Sequence, residues 1–355
     1  MHTALQSADS TISPQAQLDA LLHAAGFTPL DSTGWIRVTG SDRVRWLNGM
    51  VTNNIAALKP GEGCYNFVLN AQGRIQGDLT AWMLDDSVLL ETSRNQLPAL
   101  LAHLDRFIIM DDVELAPFPD GSLPVSDQNL DRAGLLIAGP EATTMLQRIG
   151  ISAERPSSLQ LQSTHWKANP IDLIYAPSPL VPCCEIWSDL TTILEIDHAL
   201  SPAGATPVSP EALEALRILS GTPRYGTDIR NTATAHDLPQ ETAQTRALHF
   251  TKGCYLGQEI VERIHSRGSV HRTFTGFQLT GALPTPGTIL TAGSDARSVG
   301  ELTSVAAIPL PAGTIQLALG YIRREAMSVN TQARNLPLQY PGGTATPIAL
   351  PFPIS

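Results

Sequence analysis

Between Trp35 and Leu115 the apolar residues keep changing period, and this alternation restricts the fold more than any other feature of the chain. Trp35-Ile36-Arg37-Val38 reads as a strand, and Ser41-Asp42 opens a helix with Val44 and Leu47 on one side that Asn48-Gly49 ends. Residues 63–70 and 74–83 read as two strands joined at Ala71-Gln72-Gly73, with glycine where a positive φ is needed. Residues 87–92 form a third strand, Leu97, Leu100, Leu101 and Leu104 fall at helical spacing, and residues 113–115 are strand-like. Strand, helix, hairpin, strand, helix, strand is an order that closes as an α+β sandwich of mainly antiparallel character.

The flanking stretches extend this pattern. Ser13-Pro14 with Leu18, Leu21 and Leu22 predicts a short capped helix that stops at Gly26. Residues 135–138 and 141–149 repeat strand then helix, residues 171–175 and 184–187 add strands, and Ser209-Pro210 caps a helix through Leu213, Leu216 and Leu219. The piece from 177 to 182, rich in proline, reads as a loop. Beyond Gly268 the texture changes to short strands at 273–279, 288–290, 298–307, 315–322 and 346–351, separated by proline and glycine, which is the pattern of a small β-barrel or sandwich. The expected division is an N-terminal helical segment at 1–26, an α+β region at 27–268 splitting near 130, and a β-barrel at 269–355.

Several function classes lose support. The formal net charge of -10 disfavours broad binding to nucleic acid or anionic lipid, while leaving room for a local basic pocket that holds a small anion. No apolar run approaches a membrane span, and no lysine or arginine precedes Arg37, so neither a secretory signal nor a basic presequence is indicated and the expectation is a cytoplasmic protein. The four cysteines, Cys64, Cys183, Cys184 and Cys254, lack disulfide-framework or zinc spacing and read as reduced thiols. Gly61-Glu62-Gly63 lacks the third glycine of a dinucleotide fingerprint, and neither G-x-x-x-x-G-K-[ST] nor G-x-S-x-G occurs.

Chemistry concentrates in two loops. The stretch Lys252-Gly253-Cys254-Tyr255-Leu256-Gly257-Gln258-Glu259 holds one of only three lysines two residues before a cysteine. A helix from Gln258 to Ser266, with Glu259 and Arg263 at i,i+4, places Cys254 in the loop that enters it. Unpaired N–H groups there and the Lys252 ammonium favour a thiolate, which would act as nucleophile, redox-sensitive group or soft-metal ligand; the plain alternative is a small buried residue filling a gap. The second loop, Gly221-Thr222-Pro223-Arg224-Tyr225-Gly226-Thr227-Asp228, follows Arg217 and suits a flat heterocycle with an anionic tail, or else is a solvated loop with a surface ion pair. His265, Arg267, His271 and Arg272 form a basic cluster of poor metal geometry that reads as anion-facing or solvated, and no metal site is expected.

These residues resemble a known family. The run from Lys252 to Glu259, with Arg263 after it, looks like the K-G-C-[FY]-x-G-Q-E signature of the YgfZ-like folate-binding proteins, relatives of the glycine-cleavage T-protein, an aminomethyltransferase. Leu69-Asn70-Ala71-Gln72-Gly73-Arg74-Ile75 with Asp78, Arg217 through Asp228, and Gly300-Glu301-Leu302-Thr303-Ser304 agree with it in order. The resemblance implies a T-protein-like α+β fold: two ferredoxin-like portions and a C-terminal β-barrel around a central channel. It implies tetrahydrofolate, or a one-carbon derivative, as cofactor. Arg217, Tyr225, Asp228, Gly253, Tyr255, Gly257, Gln258, Glu259, Arg263, Asn70 and Arg74 would bind it, and Cys254, Lys252 and Asp78 would be the chemically active residues. It further implies a factor that supports assembly or repair of iron-sulfur clusters, and through them tRNA modification, with iron-sulfur client or assembly proteins as partners and no direct nucleic-acid or membrane contact. The alternatives are a folate-dependent aminomethyl transferase and a folate-sensing scaffold. Where T-proteins carry a G-G-[IV]-x-D-D run, this chain has Gly73-Arg74-Ile75-Gln76-Gly77-Asp78, so Asp78 alone stands in for the acidic pair and the accessory role is favoured over catalysis.

Overall fold

The computed structural model describes residues 12–118, 132–154, 159–176, 178, 180–233, 247–267, 271–292, 297–326 and 337–353. The first helix, α1 (Pro14–His23), is capped as expected, the Ser13 side chain accepting from Ala16 N. It does not stop at Gly26: the cap is Ala24, and Gly26 opens β1 (Gly26–Pro29).

The alternation that follows becomes one antiparallel sheet. Its elements are β2 (Thr33–Thr39), α2 (Arg43–Met50), β3 (Gly63–Leu69), β4 (Ile75–Met83), β5 (Val88–Ser93), α3 (Leu97–Asp105) and β6 (Glu114–Phe118), and the strand order is β3-β4-β5-β2-β6. Helix α2 runs through Asn48-Gly49 to Met50 instead of ending there, because its last carbonyls find a partner far along the chain.

The second unit comprises β7 (Arg132–Ala138), α4 (Ala142–Arg148), β8 (Leu161–Trp166), β9 (Asn169–Ile174), β10 (Cys183–Asp189), α5 (Leu190–Ala203) and β11 (Thr206–Pro207). Its sheet, β11-β1-β7-β10-β9-β8, takes β1 from the N-terminal end of the chain. Strands β8 and β11 and helix α5 go beyond the sequence expectation. Thr191-Thr192 and Pro202 argue against a helix locally, yet Asp189 caps it, Gly204 closes it at φ 107°, and Ile193, Ile196 and Leu200 bury one face.

After α6 (Pro210–Ser220) and α7 (Gln258–Arg267), the strands β12 (Arg272–Gly281), β13 (Ile289–Ala292), β14 (Arg297–Leu310), β15 (Gly313–Arg323), β16 (Leu338–Tyr340) and β17 (Gly343–Ile348) close a barrel in the order β12-β15-β14-β13-β16-β17. The barrel has one strand more than expected, β16, because closure needs a partner between β13 and β17. The proposed boundary residue Gly268 and two residues of the proline-rich loop, Pro177 and Pro179, lie outside the described residues. Among the described residues no helix is long and apolar enough to cross a membrane.

All three sheets meet in one apolar hub. It takes Leu18 and Leu21 from α1, Phe67 and Leu69 from β3, Leu216 and Leu219 from α6, Val261 from α7, and Leu319 and Tyr321 from the barrel. The two open sheets also join at an edge, where Glu62 and Gln160 form an antiparallel bridge and Leu161 N donates to Gly61 O at 2.8 Å. Behind this seam Trp35 and Trp187 pack edge to face, 5.5 Å between ring centroids. There the Trp82 indole donates to Glu91 at 2.9 Å and the Trp187 indole donates to Glu185 at 2.8 Å, which brings two buried carboxyls, one from each sheet, into each other's field. Burial raises both above the ordinary glutamate range, and the nearby Glu91 charge raises Glu185 further.

Carboxyls raised in the folded state stabilise it fully below the ordinary glutamate range, and that contribution disappears as pH rises through the raised folded value. The melting temperature is accordingly expected to fall on the alkaline side more steeply in the native chain than in Glu185→Gln. Identical pH profiles for the two would show that the pair does not ionise against the fold.

Candidate functional site

The signature loop is held from beneath by the turn that follows α2. Thr52 Oγ1 donates to Ala247 O at 2.7 Å, His249 N to Thr52 O at 3.1 Å, and Leu256 N to Gly49 O at 3.0 Å. Lys252 completes the anchor: its Nζ donates to the carbonyls of Asn48, Val51 and Asn53, each at 2.6 Å. An ammonium with three donors at a helix C-terminus is satisfied both by hydrogen bonding and by the helix dipole. Burial pulls its pKa down to about 8, while the three acceptors favour the charged form, and the geometry is that of the ammonium. The expectation that Lys252 serves the Cys254 thiolate is corrected here, because the three hydrogen bonds of its ammonium all go to backbone carbonyls.

Glycines let this loop reach the β3–β4 hairpin. Gly257 has φ 83°, and a Cβ there would lie 2.5 Å from Asn70 O; Gly73, at φ 69°, would meet Ile260 of α7 at 2.9 Å. Asn70 builds the hairpin turn, its Oδ1 accepting from Gln72 N at 3.0 Å and Arg74 N at 2.9 Å. Gln258 closes the loop through Oε1, which accepts from Tyr255 N at 3.3 Å. Glu259 and Arg263 form an exposed i,i+4 ion pair of the kind that contributes little. Asn70, Gly257 and Gln258 thus shape backbone. Cys254 is exposed, next to Gly253 at φ 99° with open space around its Cα, so the buried-filler alternative does not hold. The other thiols differ: Cys184 is buried and its pKa is raised, and burial pushes Cys64 up to about 11.

The Gly221–Asp228 loop is not a solvated loop. The Asp228 side chain is fully buried and accepts four hydrogen bonds, from Arg217 Nη1 (2.7 Å), Arg224 N (2.9 Å), Thr303 Oγ1 (2.5 Å) and Ser304 Oγ (2.8 Å). Successive strand residues ordinarily face opposite ways, but β14 shifts register between Leu302 and Ser304, which brings both hydroxyls to one carboxylate. Arg217 also binds Glu214 through Nε and Nη2, Thr222 O at 2.5 Å and Ser304 at 2.7 Å, and Arg224 pairs with Glu214. The expectation that Arg217 and Asp228 offer their charges to a ligand is corrected: their hydrogen-bonding groups are spent joining α6, this loop and the barrel.

Other groups gather at the hub. The Tyr65 hydroxyl donates to Asp78 Oδ2 at 2.7 Å and Gln96 Nε2 donates to Asp78 Oδ1 at 2.8 Å. Desolvation raises the Asp78 carboxyl above the usual range, and burial first and the Asp78 charge second raise Tyr225. Among the described residues the buried Tyr255 hydroxyl meets no hydrogen-bond partner, and burial pushes it up to about 12. Tyr65 and Gln96 were missed by sequence reasoning. The hairpin register, Phe67 opposite Asp78, makes Tyr65 the diagonal neighbour of Asp78 and was a usable signal; Gln96 arrives only through the packing of the segment before α3. At Gly77 an added Cβ would lie 2.5 Å from Leu100, so a second acid has no room there.

Asp228→Ala removes the fully buried one of the two carboxylates that pair with Arg217 and leaves the Thr303 and Ser304 hydroxyls without that acceptor, and it is expected to destabilise the chain by about 3–5 kcal/mol. Chemical denaturation measures this directly; a loss below ~1 kcal/mol, the scale of an exposed pair, would contradict the structural assignment of Asp228.

Residues 9–174 match the family described as "GCVT N-terminal domain". The tRNA-modifying protein YgfZ of Yersinia pseudotuberculosis is 28% identical over 248 residues, covering 68% of each chain. A Neurospora crassa protein named iron-sulfur cluster assembly factor IBA57 homolog, mitochondrial, is 27% identical over 273 residues, covering 74% of this chain and 54% of that one. Among solved structures, the glycine cleavage system aminomethyltransferase T of Bartonella henselae superposes with a TM-score of 0.76 over 97% of this chain and 90% of that one, at 18% identity, which establishes the shared fold. With two open sheets, a closed C-terminal barrel and the Lys252–Glu259 loop docked on the β3–β4 hairpin, the chain shares the fold of the glycine-cleavage aminomethyltransferase, and its sequence is similar to YgfZ and IBA57 proteins.

Proposed function

We propose that this chain binds tetrahydrofolate and supports assembly or repair of iron-sulfur clusters, and through them tRNA modification, with Cys254 as its functional thiol. The observation that carries this reading is the exposed Cys254, presented beside a left-handed Gly253 on a loop that Lys252 fixes to the fold. A thiol presented in this way can reach a partner protein, whereas Cys64 and Cys184 are held back by burial. The names of the Yersinia and Neurospora relatives support the biological setting.

The hub suits a folate. Tyr225 supplies an aromatic face near the raised Asp78 carboxyl, and the orphaned Tyr255 hydroxyl is a buried polar group that a ligand would satisfy. Bound there, tetrahydrofolate would supply two amine nitrogens, one in its reduced ring and one on the bridge to the aminobenzoyl group, that can carry a one-carbon unit. The protein's part is to orient the ring with Tyr225, to exclude water with the apolar wall of Phe67, Leu69 and Leu319, and to keep a proton on Asp78 through burial. That raised carboxyl, steadied by Tyr65 and Gln96, also favours a second reading, a one-carbon transferase with Asp78 as general acid.

Titration of the full chain with tetrahydrofolate, followed by tryptophan fluorescence or calorimetry, is expected to saturate, and Cys254→Ala is expected to keep that affinity and the native melting temperature while failing to complement a strain lacking the factor. An absence of binding removes the folate; full complementation removes the thiol. For the second reading, sustained turnover of an aminomethyl donor that disappears in Asp78→Asn is the required result, and no turnover at saturating folate rejects it.

A further inference from the structure

We propose that the Ile109-Met110 tip, between α3 and β6, is a docking surface for a partner protein that offers an apolar pocket edged by lysine or arginine. The two side chains are 82% and 94% exposed, while Phe107 and Ile108 before them pack partly against the core of the first sheet. Single surface aliphatics are ordinary, but an adjacent pair held this far out calls for a physical reason. A loose loop would turn such residues inward, and here the backbone is tied down on both sides. The Trp46 indole donates to Phe107 O at 3.1 Å, and Ile108 N donates to Asp105 O at 3.1 Å. Beyond the tip, Asp112 N donates to Asp42 Oδ2 at 3.0 Å and Asp42 N donates back to Asp112 O at 3.2 Å. Ser41 adds two bonds to Asp112 Oδ2, from N at 2.9 Å and from Oγ at 2.8 Å. Gly40, at φ 98°, permits this approach, since a Cβ there would lie 2.0 Å from Asp112 O. An apolar knob fixed in its exposed position has already lost the freedom that docking would remove, which is the preorganisation that favours binding.

Charge selects the kind of partner. Segments 40–45 and 105–114 carry the carboxylates of Asp42, Asp105, Asp111, Asp112 and Glu114 against the guanidiniums of Arg43, Arg45 and Arg106. Hydrogen bonds from the Asp112 and Ser41 backbone hold Asp42 and Asp112 below the ordinary carboxylate range, so both are ionised at neutral pH. Arg45 is taken up by Asp42 and Asp111, Arg106 lies against the His103 ring nitrogen, and Arg43 reaches away to the Asp85 carbonyl. The rim is acidic. It opposes an anionic bilayer, and equally a second copy seated tip to tip, while a cationic edge around an apolar pocket complements it. The tip also braces the N-terminal end of α2, whose C-terminal carbonyls hold Lys252. With eight residues that helix is about 12 Å long, so a partner seated on the tip has the Cys254 loop one short helix away. Only this last connection rests on the thiol reading given above.

The test is photocrosslinking in the cells that make the protein, with p-benzoylphenylalanine in place of Met110, then sequencing of the crosslinked peptide and calorimetry of the full chain with the purified partner. The expected product is one principal partner joined through an apolar segment flanked by lysine or arginine. It is expected to be absent when the photoreactive residue replaces Leu283, an exposed aliphatic outside the tip. The double variant Ile109→Ser/Met110→Ser is expected to weaken that partner's binding roughly tenfold or more, and Asp105→Lys to weaken it several-fold, both at the native melting temperature. Raising the ionic strength is expected to weaken the native complex. A crosslink to lipid, to a second copy or to an acidic segment overturns the proposal, as does a yield no higher than at Leu283 or an affinity that the double variant leaves unchanged. Full complementation by Cys254→Ala, with partner affinity retained, rejects the thiol reading and leaves the docking surface standing.

Discussion

The buried carboxylate of Asp228 is the joint on which this architecture turns. It sits with no solvent exposure against Arg217 and receives further hydrogen bonds from a backbone N–H and two barrel hydroxyls. A charge in that setting is tolerable only while every partner is present, because desolvation of a single ion outweighs any one hydrogen bond. The network therefore fixes α6, the loop after it and β14 relative to one another, and the Tyr321 hydroxyl adds a bond to the Asp228 carbonyl from β15. The apolar hub fills the space that this network frames.

Lys252 does for the signature loop what Asp228 does for the barrel. A positive charge collects the carbonyls at the end of α2, and the backbone around it is pinned through Thr52 and Gly49. The consequence is a division of labour inside a short motif: lysine and glutamine hold, the glycines bend and make room, and the cysteine is left outside. Both residues resemble functional charges in the sequence and serve as internal ties in the fold. Such ties are costly to remove, which is a sufficient physical reason for a motif to keep them.

A third polar cluster lies across the seam of the open sheets, where Glu91 and Glu185, each held by an indole N–H, are raised by burial. Together with Asp78, whose carboxyl is also raised by burial, it gives the α+β half of the chain several acids that favour the protonated state.

Period and punctuation in the sequence determined the local elements: the capped α1 and α6, the hairpin turning at Gly73, the helix after Gln258 and the β texture of the last domain are all legible from residue spacing. They are legible because caps, turns and amphipathic faces depend on neighbours a few residues away. The motif residues also carry the likeness to YgfZ and IBA57 proteins. Only the tertiary structure decided which charges are spent and which are exposed. Lys252 meets carbonyls some 200 positions earlier, Asp228 meets hydroxyls 75 and 76 positions later, and a register shift in β14 turns two adjacent hydroxyls the same way. The strands β1, β11 and β16 were likewise settled by the sheets they complete, since a two- to four-residue strand carries too little pattern of its own and is held by the ladder on either side.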